Sequence, residues 1–182
     1  LQDARECLTQ ANSVAYDQEF SPHATVRCRF RDAGHILGSA IIEVWVTEHG
    51  RATKLVFSGD LGQPGRPILR DPTLIEETDI LVVESTYGDR RHLDLAATED
   101  EMIAIVEKTL YERGGNVIMP AFAVGRTQQV IYLLHRLACE GRLRPPKVFV
   151  DSPMATEATR ITREHLELFD EEARRLRAAP AR

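Results

Sequence analysis

Two runs of alternating residues flank the turn sequence Glu48-His49-Gly50-Arg51, and this pairing limits the fold more than any other feature of the chain. In the first run, 40–47, Ile42, Val44 and Val46 alternate with Ile41, Glu43 and Trp45. Its partner begins near Thr53 and ends in the apolar stretch Leu55-Val56-Phe57. Period-two runs joined by a short glycine-containing turn predict an antiparallel hairpin. A hairpin returns the chain to the end where it began. His35, between two glycines in the segment 32–40, precedes the first strand, and Asp60, in Phe57-Ser58-Gly59-Asp60-Leu61-Gly62, follows the second. Both are therefore predicted at the same end of the ribbon, and His49 at the opposite one. An imidazole and a carboxylate are donors that a divalent ion such as zinc accepts. They are part of a shell, since a catalytic zinc takes at least three protein ligands.

Around this hairpin the chain reads as an α/β fold. Residues 1–12 have the spacing of a helix, with Ala4, Cys7, Leu8 and Ala11 on one face. The segment 14–23 ends in Ser21-Pro22-His23 and reads as a connection to a strand over 25–30, with His23 a loop histidine. The proline-rich stretch 63–72 predicts an extended loop walling the site. The run 79–84, apolar from Ile80 to Val83 and ending in Glu84, predicts a strand buried on both faces. From Thr98 the period becomes helical, with Met102, Ile105, Val106, Thr109 and Leu110 on one stripe, ending at Arg113-Gly114-Gly115. A strand over 116–120, a helix over 127–140, a strand over 147–151 and a helix opening at Pro153 follow. His135, on the second of these helices, reads as structural or solvated. Such alternation implies parallel pairing. The tail from Phe169 reads as a charged helix ending at Ala178-Ala179-Pro180.

Three apolar strands thus end in an acid, at Asp60, Glu84 and Asp151. Ligands of open α/β sheets bind outside the carboxyl ends of strands, so these acids border one crevice or serve as turn and cap acids. Asp151, before Ser152-Pro153, reads equally as a helix cap. Arg126 and Thr127, at a helix start, suit a phosphate contact or simple capping.

Composition narrows the partners. A net charge of −5 argues against a surface coated for nonspecific nucleic-acid binding, although a local groove or a metal can oppose phosphates on an acidic protein. Cys7, Cys28 and Cys139 are scattered and odd in number, which fits reduced thiols in a cytoplasmic protein. No run approaches a membrane span. A start at Leu1 rather than Met suggests a piece of a longer chain.

The segments DAGHILGSA (32–40), SGDLG (58–62), ESTYG (84–88), MPAFAVGRTQQV (119–130) and FVDSPMA (149–155), in this order, resemble metallo-β-lactamase-fold nucleases of the β-CASP group, which includes the pre-mRNA 3′-end-processing endonuclease and ribonuclease J. The resemblance covers nearly the whole chain from about residue 25. It implies a partial metallo-β-lactamase αββα fold over 1–94 followed by the start of a β-CASP parallel-sheet module over 95–182. It implies further that His35 is a ligand of the first of two zinc ions and that Asp60 bridges both. Glu84 matches an acid supporting a catalytic histidine later in the fold, and Asp151 an acid opening the β-CASP module and helping to organise the cleft. The family's His-x-His-x-Asp-His cluster and later histidines do not occur in these residues, so the resemblance implies an interior fragment, inactive alone.

The implied activity is hydrolysis of RNA phosphodiester bonds, with RNA as partner, no membrane, and a homodimer or processing-complex subunit as the assembly. A DNA-directed nuclease and a non-catalytic scaffold subunit are the alternatives within the group. Thioesterases or lactonases of the lactamase fold share the metal motifs but have no need of the 116–155 module.

Overall fold

Alternation in 26–57 sends successive side chains to opposite faces, and pairing each strand with its neighbours in sequence satisfies the backbone and aligns like faces. The computed structural model describes residues 2–90 and 94–178. The chain falls into two compact units, one of Leu1–Ala33, Gly38–Leu61 and Pro72–Glu84, the other of Gly34–Leu37, Gly62–Asp71 and Ser85–Arg182.

The first unit holds α1 (Gln2–Leu8), β1 (Glu19–His23), β2 (Val26–Asp32), β3 (Ala40–Glu48), β4 (Arg51–Phe57) and β5 (Ile80–Val82). The sheet order is β1-β2-β3-β4-β5, antiparallel through β4 and parallel between β4 and β5. The hairpin forms as expected, and more tightly. Glu48 pairs with Arg51, and His49 and Gly50 close the turn at φ of 48° and 77°, both left-handed as the favoured two-residue hairpin turn requires.

Register sorts the faces. Arg29, Glu43 and Val56 share one side, as do Arg27, Trp45 and Lys54. Cys28, Val44 and Leu55 line the other. Glu43 is 1% exposed and is held by Arg29 Nε and Lys54 Nζ, each at 2.7 Å. Burial pushes its carboxyl up, but the hydrogen bonds from Arg29 and Lys54 outweigh that and hold it below the usual range. The Arg27 guanidinium lies 4.3 Å from the Trp45 ring centre. Ala33, Ile41 and Val56 form the apolar centre, with Leu61 and Ile75 against them.

Three expectations for this unit need correction. The stretch read as a connection over 14–23 contains β1, whose Phe20 pairs with Cys28 and meets Phe30 in a tilted ring contact, centres 5.0 Å apart. Pro22 is tolerated there because β1 is an edge strand with a register shift between Phe20 and His23. The run 79–84 is not buried on both faces. Its strand is the outer β5, with Ile80, Leu81 and Val82 about half exposed, because an unbroken apolar run fixes the hydrophobicity of a strand but not its place in the sheet. The helix at the start forms but runs only over Gln2–Leu8, so Ala11 lies beyond it.

The second unit carries α2 (Leu95–Glu107), a π-turn (Lys108–Glu112), α3 (Arg126–Cys139), α4 (Pro153–Glu164), a 3-10 turn (Leu166–Leu168) and α5 (Glu171–Ala178). Asp94 caps α2 by accepting from the Ala97 N–H at 3.3 Å. Val106, Leu134, Leu137 and Leu143 form one core, joined by Met102, Ile103 and Leu110. Ile103 takes the place expected for Ile105, which is exposed. Glu99, almost fully buried, accepts from both Arg136 and Arg142 and so ties α2 to α3 and the turn after it. A second cluster joins Ile68, Phe169 and Ala173.

The segments expected as strands at 116–120 and 147–151 have no ladder partners among the described residues. Ile118 and Phe149 are each 86% exposed. A strand exists only as one side of a pair, and alternation in sequence does not supply the other side. The parallel pairing observed is that of β4 with β5. Ala179 and Pro180, the expected end of the tail helix, lie outside the described residues. No helix among the described residues is long and apolar enough to cross a membrane.

Candidate metal centre

Asp60 sits just past β4, on a turn fixed from both sides. The Ser58 N–H continues the ladder to the Val82 carbonyl at 2.9 Å. Gly59 takes φ of 56°, and a Cβ there would lie 3.2 Å from the Ala40 carbonyl oxygen, so the exit from β4 lies against the entry to β3, as the hairpin requires. Beyond Asp60, the Leu61 N–H donates to Glu84 Oε1 at 2.6 Å. The Glu84 N–H in turn donates to Ser58 Oγ at 3.0 Å. The first unit therefore brings Asp60 and Glu84 together at the carboxyl ends of adjacent strands, with the Asp60 side chain exposed and Glu84 half-buried.

His35 belongs to the second unit. There Gly62 packs directly on its turn. A Cβ on Gly62 would lie 2.0 Å from the Gly34 carbonyl oxygen and 3.0 Å from the His35 nitrogen. His35 also lines a small pocket with Leu37, Ile68, Val124, Gly125 and Gln128. Gly125, at φ of 85°, opens α3, and a Cβ there would meet Ile36 at 2.7 Å. Gln128, 7% exposed, holds this corner together. Its Oε1 accepts from the Gly125 N–H at 2.7 Å, and its Nε2 donates to the Ala123 carbonyl at 3.0 Å and to Thr159 Oγ1 at 2.9 Å.

Asp151 is exposed and precedes α4 in the second unit. Its cap reading does not hold, because the Ser152 side chain accepts from the Ala155 N–H at 3.1 Å and is itself the N-cap. Thr127 Oγ1 donates to the Phe122 carbonyl at 2.8 Å, which ties the first turn of α3 to the loop before it and does not cap the helix. His135 is exposed on α3 beside Cys139, and His23 bonds locally to Thr25.

Among the described residues no group of three or more His, Cys, Asp and Glu could hold a metal ion. Imidazole and carboxylate are the right donor types, but one of each is too few for a complete shell. Sequence reasoning overlooked Ser58 and Gln128. Ser58 follows the apolar run 55–57 and Gln128 lies in the first turn of α3, and only their burial separates them from solvent-facing residues.

Residues 127–182 match the Beta-Casp domain family. The chain is 36% identical over 171 residues to Ribonuclease TTHA0252 of Thermus thermophilus, covering 94% of this chain and 38% of that protein. It is 31% identical over 156 residues to an RNase J-like protein of Methanocaldococcus jannaschii, covering 84% and 36%. It is 25% identical over 174 residues to cleavage and polyadenylation specificity factor subunit 3 of Dictyostelium discoideum, covering 94% and 22%. The chain thus spans well under half the length of each of these relatives. The ordered motifs, the mixed α/β architecture and these matches agree: the chain belongs to the β-CASP family of metallo-β-lactamase-fold proteins.

Proposed function

We propose that this chain is part of a metal-dependent hydrolase that cleaves RNA phosphodiester bonds. The observation that carries the reading is the Asp60 turn, an exposed carboxylate at a strand end whose two neighbouring peptides are tied into buried structure. A ligand or general base has to be held this rigidly to act. The names of the relatives, two of them ribonucleases or RNase-like, support RNA as the substrate.

In this reading residues 1–94 are the metallo-β-lactamase part and residues 95–182 the opening of the β-CASP part. His35 and Asp60 are ligands, and zinc, two ions in the full-length protein, is the metal. A bound metal of this kind lowers the pKa of water and neutralises phosphate charge. Glu84, which also accepts from the Leu61 N–H beside Asp60, supports a catalytic histidine later in the fold, and Asp151 helps to organise the cleft. Likeness to a subunit of a cleavage and polyadenylation factor favours membership of a processing complex, and the cytoplasm is the proposed compartment.

The test is cleavage by the full-length protein of matched RNA and DNA oligonucleotides, with and without chelator, beside an Asp60→Asn variant. Chelator-sensitive RNA cleavage that Asp60→Asn abolishes is the expected result. Strong preference for DNA removes the RNA assignment, and full activity in Asp60→Asn removes the site.

A further inference from the structure

We infer that Ser58 is a positioning residue for Asp60, acting through the peptide before it and, by way of Glu84, through the peptide after it. The inference rests on the hydrolase reading above and deepens it. Ser58 is 5% exposed, so it meets no substrate, yet its hydroxyl makes two bonds that are not part of the sheet ladder. It donates to the Gly59 carbonyl at 2.6 Å and accepts from the Glu84 N–H at 3.0 Å.

The two bonds have different reach. The first fixes the Gly59–Asp60 peptide on the near side of the carboxylate. The second fixes the backbone of Glu84, whose Oε1 takes the Leu61 N–H at 2.6 Å on the far side. One buried hydroxyl therefore stands at the start of a chain of hydrogen bonds that closes around Asp60 and joins the ends of β4 and β5. Gly59 cannot hold the turn alone, because in the left-handed region glycine has more conformational freedom than any other residue. A buried polar group this fully used also loses both partners at once when removed.

The experiment compares full-length wild-type protein with Ser58→Ala and Ser58→Thr in single-turnover cleavage of an RNA oligonucleotide, together with amide exchange resolved along the chain. Ser58→Ala is expected to cleave about ten- to a hundredfold more slowly, the scale of an ångström of misplacement, with RNA affinity unchanged. Exchange should rise at Leu61 and Glu84 and stay unchanged in β2 and β3. Ser58→Thr keeps the hydroxyl and should restore the rate. A Ser58→Ala protein that cleaves at the wild-type rate overturns the inference, as does Ser58→Thr that is as slow as Ser58→Ala. Exchange that rises equally across β2 and β3 also overturns it, by showing a purely structural role. A wild-type protein that cleaves no RNA fails the hydrolase reading itself, and the inference falls with it.

Discussion

Replacing Gly62 with alanine tests the backbone contact on which the His35 turn depends. The added Cβ would stand 2.0 Å from the Gly34 carbonyl oxygen and 2.3 Å from its carbon. Both are main-chain atoms, so no side-chain rotation relieves the clash. Reaching even 3.0 Å, the shortest approach real Cβ atoms make, moves one segment away from the other by about 1 Å. Overpacking of this kind costs about 1–3 kcal/mol, and misplacement of a reacting group by 1 Å costs about 10²-fold in rate. Gly62→Ala in the full-length protein is therefore expected to melt several degrees lower and to cleave RNA about a hundredfold more slowly. Gly115→Ala is the control, since its Cβ meets Thr109 at an ordinary 3.5 Å. Calorimetry and single-turnover cleavage read the two effects. A Gly62→Ala protein with wild-type melting temperature and rate refutes the close approach and the positional argument built on it.

Glu43 sets an acid limit on stability. Its folded pKa is depressed, so its contribution is present above the ordinary value of 4.5 and is lost as pH falls through the folded value. Wild-type stability measured by denaturant titration should therefore fall below about pH 4.5, and Glu43→Gln should flatten that fall; an unchanged slope in the variant contradicts the assignment. Glu43→Ala leaves Arg29 and Lys54 facing an empty buried site and is expected to cost about 3–5 kcal/mol at neutral pH, read from the denaturation midpoint. Gln128→Leu strands the Gly125 N–H and the Ala123 carbonyl, and urea unfolding should show a loss of about 1–3 kcal/mol; an unaltered midpoint would show that water replaces those bonds freely.

Local signals in the sequence located what local chemistry decides. The 40–57 hairpin was readable because alternation and a His49-Gly50 turn act over a few residues, and the start of α4 because Pro153 suits only a first turn. The Asp60 turn was visible as a glycine-flanked acid after an apolar strand. Long-range features were not legible. Whether Ile80-Leu81-Val82 lies inside the sheet or at its edge depends on which other strand reaches it, and whether 116–120 and 147–151 form ladders depends on partners that periodicity does not name. Burial of Ser58 and Gln128 is a property of surrounding elements, so their hydrogen bonds appear only with the fold. The assignment of His35 and Asp60 to one metal rests on the hairpin read from the sequence and on the family resemblance, and it stands as a proposal.

The claim on which the account depends is that His35 and Asp60 share a cation in the full-length protein. Metal content by native mass spectrometry, measured on the wild-type protein and on folded His35→Ala and Asp60→Asn variants after dialysis against the same trace of zinc, tests it most directly. The account predicts two ions retained by the wild type and a loss in each variant. Wild-type metal content in both variants contradicts it.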